Sequence, residues 1–293
     1  SNKKITMALL QDLLHDSGAV AFGSWQLGGS AGDWHTGVDD SESIAALHAF
    51  IDGGGRCIDT ANVYGAGHSE RLIAQAIQER SAAGKVDEGR LFVITKAGRA
   101  HGDVEAPLSD APHGPQNYTY DALKASAEGS LARLAVSCLD CLQLHCPPTE
   151  CLADGSPTFA ALEKLKAEDL IATWGVSVET CEEALLAIAQ PGCSCVQLIF
   201  NIFRRKPLDA VFAAAAAKRV TLICRVPLAS GMLAGTMDAA ALAKLSPKDH
   251  RSYNRAGAAF DKVSVVAARL PRVLFRSSSL LLHHPLSLSL PPG

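Results

Sequence analysis

The sequence lacks the features of a membrane-bound or nucleic-acid-binding protein. None of its apolar runs approaches the roughly 18 residues that a membrane-spanning helix requires. Its formal net charge is only −3, and no stretch is dense in Lys and Arg, so we expect neither a nucleic-acid nor a membrane partner. The apolar segment near the N-terminus is too short for a signal peptide. We therefore expect a cytoplasmic protein, or an organellar one if further residues precede Ser1.

The sequence also lacks the cysteine pattern of a disulfide framework or a zinc site. It has nine cysteines, an odd number, and most of them lie inside apolar runs such as "CSCVQLIF". Cys138 and Cys141 form a single CxxC motif without a matching second pair, at the point where a strand pattern begins. We interpret the cysteines as reduced packing residues and predict no metal site.

What the sequence does contain is an alternation of short apolar runs with longer segments of helical spacing. The AVILMFWYC residues make up 48% of the 293 residues and the charged residues 19%, as in an ordinary globular protein. The runs typical of strands are residues 18–25, 56–61, 91–98, 138–146, 171–178, 195–203 and 220–226. Helical patterns lie between them, and Asp40, Ser69 and Thr119 are the predicted N-caps of three of these helices.

This alternation predicts an α/β protein with a parallel sheet built from βα units. The two candidate folds are a (β/α)₈ TIM-type barrel and a doubly wound nucleotide-binding sheet. No GxGxxG motif follows the first predicted strand, and polar residues follow several strands at their C-terminal ends, so we prefer the barrel. The eighth strand and helix are not recognisable. We expect one barrel domain over residues 1–263, incomplete at its C-terminal end, and a low-complexity, disordered tail over residues 264–293.

Four residues at predicted strand ends form a plausible proton-transfer site. In "CIDTANVYGAGHSE", Asp59 lies near the end of the second strand and Tyr64 in the loop beyond it, while Lys96 and His145 lie near the ends of the third and fourth strands. A phenol with a pKa near ~10 exchanges protons at neutral pH only if its pKa is lowered, and an adjacent ammonium favours the phenolate. Lys96 supplies that charge, Asp59 balances it, and a neutral His145 donates a hydrogen bond to a substrate oxygen. Together they make a general acid for a carbonyl group.

These motifs resemble those of the aldo-keto reductase family. The Asp and Tyr motif of the family matches "IDTANVYGAGHSE", its Lys motif matches "VITKAG" and its His motif matches "LQLHCPP", and the resemblance covers residues 18–235. It implies a (β/α)₈ barrel that reduces aldehydes or ketones to alcohols, or runs the reverse oxidation. In this reading Tyr64 is the general acid, Lys96 and Asp59 tune it, and His145 orients the substrate.

The resemblance also implies a cofactor, NADP(H) or NAD(H), and the residues that bind it. The implied cofactor-binding residues are Ser24, Trp25, Asp59, Ser177, Gln197, Arg225, Pro227, Leu228, Ser230 and Gly231. Ser177 and Gln197 correspond to ligands of the nicotinamide carboxamide. Many members of the family have Tyr where this chain has Arg225, whose planar guanidinium can also stack on a ring. Val178 stands where Asn is common in the family.

The resemblance leaves the substrate and the C-terminal end open. Loops around Trp34 and His35 and over residues 99–118 are expected to select a small-molecule carbonyl or alcohol. Nothing after Phe260 matches the family's eighth strand and adenosine phosphate loop, which indicates a truncated or alternatively spliced end. The alternatives are therefore a catalytically weak cofactor-sensing or partner-binding protein on the same fold, or a non-functional splice product. We expect a monomer or a weak oligomer.

Overall fold

The computed structural model describes residues 20–27, 39–85, 91–99 and 116–234. These residues fall into two compact units, one that ends at Arg225 and one that begins at Val226, and each is described by itself. Several regions named in the predictions lie outside the described residues: the loop around Trp34 and His35, residues 100–115, the segment after residue 234 in which no eighth strand was recognised, and the tail over 264–293.

The first unit alternates seven strands with six helices among its described residues. The strands are β1 (Ala21–Gly23), β2 (Cys57–Asp59), β3 (Phe92–Ala97), β4 (Leu139–His145), β5 (Ile171–Ser177), β6 (Cys193–Ile199) and β7 (Thr221–Arg225). The helices are α1 (Asp40–Asp52), α2 (His68–Ala82), α3 (Tyr120–Leu134), α4 (Pro157–Ala167), α5 (Cys181–Ala189) and α6 (Val211–Lys218). All seven predicted strands are present, each close to its predicted place. No helix in the described ranges has both the length and the apolar character needed to cross a membrane.

The seven strands form one parallel sheet in the order β1 to β7, so each strand pairs with its neighbours in sequence. A doubly wound sheet reverses its strand order part-way, whereas a (β/α)₈ barrel keeps one order throughout. The observed order is therefore that of the barrel. Representative registers are Asp59 with Ile94, Lys96 with Gln143, and Ser177 with Gln197.

The two faces of each strand contribute to two different cores, because successive side chains of a strand point to opposite faces. In β3, Phe92 and Ile94 belong to an inner cluster with Cys57, Cys141 and Cys195. The opposite face of the sheet packs against the helices in a larger cluster whose biggest fully buried side chain is that of Trp174. Residues two positions beyond an inner-cluster residue therefore share the inner face.

The helix starts differ in part from the predicted N-caps. Asp39, not Asp40, caps α1, and its carboxylate accepts from the backbone N–H of Glu42 at 2.7 Å. Ser69 lies inside the first turn of α2, where its hydroxyl is buried and bonds elsewhere. Thr119 does precede α3, but its hydroxyl donates to Asn117 instead of capping the helix. A buried or locally engaged hydroxyl cannot serve as a cap, which sequence spacing alone does not reveal.

Candidate active site

Polar side chains occupy the inner face of the strands at their C-terminal ends. Asp59 lies two residues beyond the inner-cluster residue Cys57, and Lys96 lies two residues beyond Ile94. By the same alternation His145 in β4, Ser177 in β5, Gln197 in β6 and Arg225 in β7 face inward. The C-terminal end of a (β/α)₈ barrel is where its chemistry is located. Ordinary strand alternation therefore collects these side chains at one mouth.

Lys96 is the centre of a hydrogen-bond cluster at this mouth. Its Nζ donates to Oδ1 of Asp59 at 2.9 Å, to Oδ2 at 2.8 Å and to the carbonyl oxygen of Thr60 at 2.7 Å. It also lies 3.3 Å from the phenol oxygen of Tyr64. The Lys96 side chain is 1% exposed, so its charge is desolvated and needs the carboxylate beside it. The ammonium thereby joins the carboxylate to the phenol.

Tyr64 reaches the cluster from a tight loop between β2 and α2. The loop is a short 3₁₀ helix, Tyr64–Gly67, with positive φ at Gly65, Ala66 and Gly67. Gly67 also lies directly under the Arg133 side chain, since an added Cβ would lie 2.6 Å from Cδ of Arg133. The ring of Tyr64 meets the ring of His145 edge-on, with centroids 6.0 Å apart. Three of the four predicted catalytic residues thus meet directly, and the fourth borders the phenol.

The electrostatics of the pair keep both groups protonated. Burial raises the pKa of Tyr64, Lys96 lowers it, Asp59 raises it, and the net pKa lies above the usual value. Lys96 therefore acts in the expected direction, but burial outweighs it, so the net lowering of the Tyr64 pKa that the sequence predicted is not found. Burial lowers the pKa of Lys96, but the attraction of Asp59 and Tyr64 more than compensates, so its net pKa is also raised. A protonated phenol beside a protonated amine suits proton donation.

Two side chains that the motifs did not identify hold the backbone of His145. The carbonyl oxygen of His145 accepts from Nε of Arg99 at 2.9 Å and from the Tyr118 hydroxyl at 2.8 Å. Gly98 allows this arrangement, because its φ is +99° and an added Cβ would collide with the Tyr118 ring. In the sequence, Gly98 of "VITKAG" is the one sign of this arrangement, and it does not indicate that Tyr118 packs against it.

Ser177 and Gln197, the predicted ligands of the carboxamide, are bonded to each other and to the cluster. The Ser177 hydroxyl donates to Oε1 of Gln197 at 3.3 Å. Nε2 of Gln197 donates to Oδ1 of Asp59 at 2.7 Å, a contact that the sequence did not predict. Both side chains are buried. The mouth therefore contains one continuous chain of hydrogen bonds from β5 through β6 to β2 and β3.

The predicted residues of the first strand end have different surroundings. The Ser24 side chain is fully buried, and its hydroxyl accepts from the Ser69 hydroxyl at 2.9 Å. Its backbone N–H donates to the carbonyl oxygen of Asp59 at 2.9 Å. Trp25 follows in a turn and is 38% exposed. The Trp25 side chain is therefore partly exposed at the strand end, whereas the Ser24 hydroxyl is buried and bonded to Ser69 of α2.

Arg225 ends β7 and bonds across to the end of β5. Its guanidinium donates to the carbonyl oxygen of Val178 at 2.9 Å and lies 3.7 Å from the thiol of Cys146. Val178 is buried, and its backbone carbonyl oxygen is the acceptor of this bond. The predicted stacking role of Arg225 stays a prediction.

The other predicted cofactor residues belong to the second unit. Pro227, Leu228, Ser230 and Gly231 lie in a turn that precedes the short 3₁₀ helix Met232–Ala234. The turn is closed by backbone bonds from Gly231 and Leu233 to the carbonyl oxygen of Leu228. Leu228 is 54% exposed. Their predicted contacts with a pyrophosphate stay predictions.

The cysteines form no disulfide, and Cys141 of the CxxC motif packs inside the sheet with Cys195, sulfur to sulfur 3.6 Å. Within the described ranges, no group of three or more His, Cys, Asp or Glu side chains could hold a metal ion.

The model of the Aldo/keto reductase family matches residues 19–273. This chain belongs to the aldo/keto reductase family. The family match extends further towards the C-terminus than the motifs, which ended near residue 235. Among curated relatives, it is similar to the aldo-keto reductase YhdN of Bacillus subtilis, 27% identical over 76% of this chain and 62% of the relative. It is also similar to a D-threo-aldose 1-dehydrogenase of a Pseudomonas species, 26% identical over 70% of this chain and 65% of the relative.

The chain thus spans about three fifths of the length of the curated relatives it matches. Solved structures agree on the fold. A glycerol dehydrogenase from Gluconobacter oxydans is 24% identical with a TM-score of 0.66, covering 88% of this chain and 74% of the other. An aldo/keto reductase from Klebsiella pneumoniae, solved with NADP and acetate, is 23% identical with a TM-score of 0.58, covering 93% and 80%. The described residues of this aldo/keto reductase therefore form seven consecutive parallel strands, with their helices, that match the (β/α)₈ fold of the family.

Proposed function

We propose that this chain reduces an aldehyde or ketone to an alcohol with NAD(P)H, with Tyr64 as the proton donor. The observation that carries the proposal is the position of the Lys96 ammonium, within hydrogen-bond distance of both the Asp59 carboxylate and the Tyr64 hydroxyl. A phenol with a raised pKa is protonated at neutral pH, as a general acid must be before the reaction. Among the described residues, no observation favours the cofactor-sensing alternative.

The residues at the mouth fit a nicotinamide cofactor. Ser177 and Gln197 together offer a hydroxyl, an N–H donor and a carbonyl acceptor, which is the set of groups that a carboxamide requires. They adjoin the proton donor through Asp59. When bound, the reduced nicotinamide supplies the hydride. The Klebsiella pneumoniae relative was solved with NADP, so we propose NADP(H), with NAD(H) as the alternative.

In the proposed mechanism, the substrate oxygen lies between Tyr64 and His145. His145 donates a hydrogen bond that orients the carbonyl oxygen, and Tyr64 transfers its hydroxyl proton to that oxygen. Lys96 stabilises the phenolate that remains, because its ammonium is 3.3 Å from the phenol oxygen. Asp59 holds Lys96 in position throughout. Relatives named for an aldose and for glycerol make sugars the first substrates to test for reduction, and small polyols the first to test for the reverse oxidation with NAD(P)⁺.

The test is Tyr64→Phe, which removes the proton donor and keeps the ring. Turnover of 4-nitrobenzaldehyde with NADPH should fall by about 10²- to 10⁴-fold. NADPH binding, followed by fluorescence quenching, should change little, since the hydroxyl serves the substrate. Tyr120→Phe is the matched control, because the Tyr120 hydroxyl lies on α3 and bonds to Glu168, outside the mouth. Retained turnover in Tyr64→Phe would remove Tyr64 from the mechanism.

A further inference from the structure

Gln197 makes a contact that a cofactor ligand alone does not need. Its Nε2 donates to Oδ1 of Asp59 at 2.7 Å, shorter than the 2.9 Å bond from Lys96 to the same oxygen. The two residues are 138 positions apart in sequence and come from β6 and β2, across the barrel mouth. Among the described residues, the Asp59 carboxylate thus accepts three hydrogen bonds: two from Lys96 and one from Gln197.

The position of Gln197 is itself fixed. Its side chain is 2% exposed, and its Oε1 accepts from the Ser177 hydroxyl. Both ends of the amide are therefore engaged by other side chains. A buried amide held at both ends is an oriented dipole, and its N–H end points at the carboxylate.

We propose that Gln197 is a positioning residue that sets the proton affinity of Tyr64 through Asp59 and Lys96. The inference rests on the proposed role of Tyr64 as the proton donor. The Gln197 N–H offsets part of the negative charge of Asp59, which leaves more of the Lys96 charge to stabilise the phenolate. Asp59 raises the pKa of Tyr64 and Lys96 lowers it, so removal of the N–H should raise it further.

Other charged and titratable groups face the same site and must be held constant. Around Tyr64 these are Lys96 from β3, Asp59 from β2, Arg225 from β7 and His145 from β4. The thiols of Cys57 and Cys195 occupy the preceding inward positions of β2 and β6, where the charge of the Asp59 carboxylate acts to raise the pKa of each thiol. None of these groups is altered by a change at Gln197.

The experiment is a titration of Tyr64 in the cofactor-free protein. The four tyrosines are replaced biosynthetically by 3-fluorotyrosine, whose phenol is more acidic and so titrates while the protein is still folded. Tyr64→Phe assigns the ¹⁹F resonance. Gln197→Met, which keeps the length of the side chain and removes the donor, should raise the Tyr64 midpoint by about half a unit to one unit.

Two controls separate this role from a general effect on packing. Gln143→Met also removes a buried amide from the barrel interior. This amide donates to the thiol of Cys195 and makes no described bond to Asp59, so the Tyr64 midpoint should not move. In an Asp59→Asn background, Gln197→Met should also leave the midpoint unchanged, because its effect passes through the carboxylate. Gln197→Asn, whose amide is one methylene shorter, provides a second variant if Gln197→Met does not melt cooperatively.

A Tyr64 midpoint that stays constant or falls in the Gln197 variants overturns the proposal. Weaker NADPH binding with an unchanged midpoint would make Gln197 a cofactor ligand only. The titration needs no turnover, so it can fail while Tyr64→Phe still abolishes activity. Conversely, turnover by Tyr64→Phe would refute the proposed function and leave the titration result standing.

Discussion

Asp140 is a partly buried carboxylate that the proposed mechanism does not use. It lies near the start of β4, and its Oδ2 accepts from the backbone N–H of Val93 in β3 at 2.8 Å. Burial raises the pKa of Asp140 to about 6, and the Val93 bond only partly opposes this. A folded-state pKa above the unfolded value of 3.8 means that the folded protein binds this proton more tightly. The corresponding stability is present below the unfolded pKa and is lost as the pH rises through about 6.

Asp140→Asn should therefore stabilise the protein at neutral pH. Asn keeps an acceptor for the Val93 N–H and removes the buried charge. We expect the free energy of unfolding to rise by about 2 kcal/mol at pH 7 and to change little at pH 4. Urea denaturation at both values measures this, with the exposed Asp121→Asn as the control. An equal gain at both pH values would show that ionisation of Asp140 is not the cause.

At the scale of single residues, strand ends predict the site better than they predict its contacts. Asp59, Lys96 and His145 are recognisable because each is a polar residue near the C-terminal end of a mainly apolar strand. The bond from Gln197 to Asp59 is not recognisable, because it depends on how the sheet curls to bring β6 opposite β2. The contact of Ser24 is not recognisable either. The residue lies at the end of the first strand, as predicted, but its hydroxyl bonds to Ser69 in α2.

At the scale of elements, a buried ion pair joins α2, which follows the Tyr64 loop, to α3. Glu70, in the first turn of α2, is fully buried; its carboxylate accepts from Nε of Arg133 at 2.6 Å and from the Thr95 hydroxyl at 2.6 Å. Thr95 is the neighbour of Lys96 in β3. The pair therefore ties α2, α3 and β3 together behind the catalytic cluster. Helical spacing predicts that helices lie between the strands, but it carries no information about pairs between helices.

Arg133→Met should destabilise the protein by about 3 to 5 kcal/mol, because it leaves the Glu70 carboxylate buried without a cation. Glu70→Gln combined with Arg133→Met should recover part of this loss, since the buried charge is then removed as well. Arg80→Met is the matched control: it breaks a surface pair with Asp52 and should cost less than about 1 kcal/mol. Urea denaturation compares the three variants. A similar small loss for Arg133→Met and Arg80→Met would mean that Glu70 finds another partner.

At the scale of the whole molecule, the strands differ in length and in the number of strands with which they pair. The strands β4, β5 and β6 have seven residues each and pair on both sides, whereas β1 has three residues. Within the described ranges, β1 pairs only with β2, and β7 pairs only with β6. The order of the strands follows from the sequence alternation, but their lengths and pairing do not, because apolar runs of similar length predicted all seven. The runs at 18–25 and 56–61 each form a strand of only three residues.

This difference predicts a gradient of backbone protection. Amide hydrogen exchange reports the free energy of local opening, which is smallest for strands with few paired groups. We expect the slowest exchange in β4, β5 and β6 and exchange at least tenfold faster in β1 and β7, as measured by mass spectrometry on peptic peptides.

Asp140→Asn at pH 7 should slow exchange in β4 and β3 more than in β1, since it stabilises the interior of the sheet. Protection of β1 and β7 equal to that of β5 would mean that each has a second pairing partner outside the described ranges, which would close the barrel.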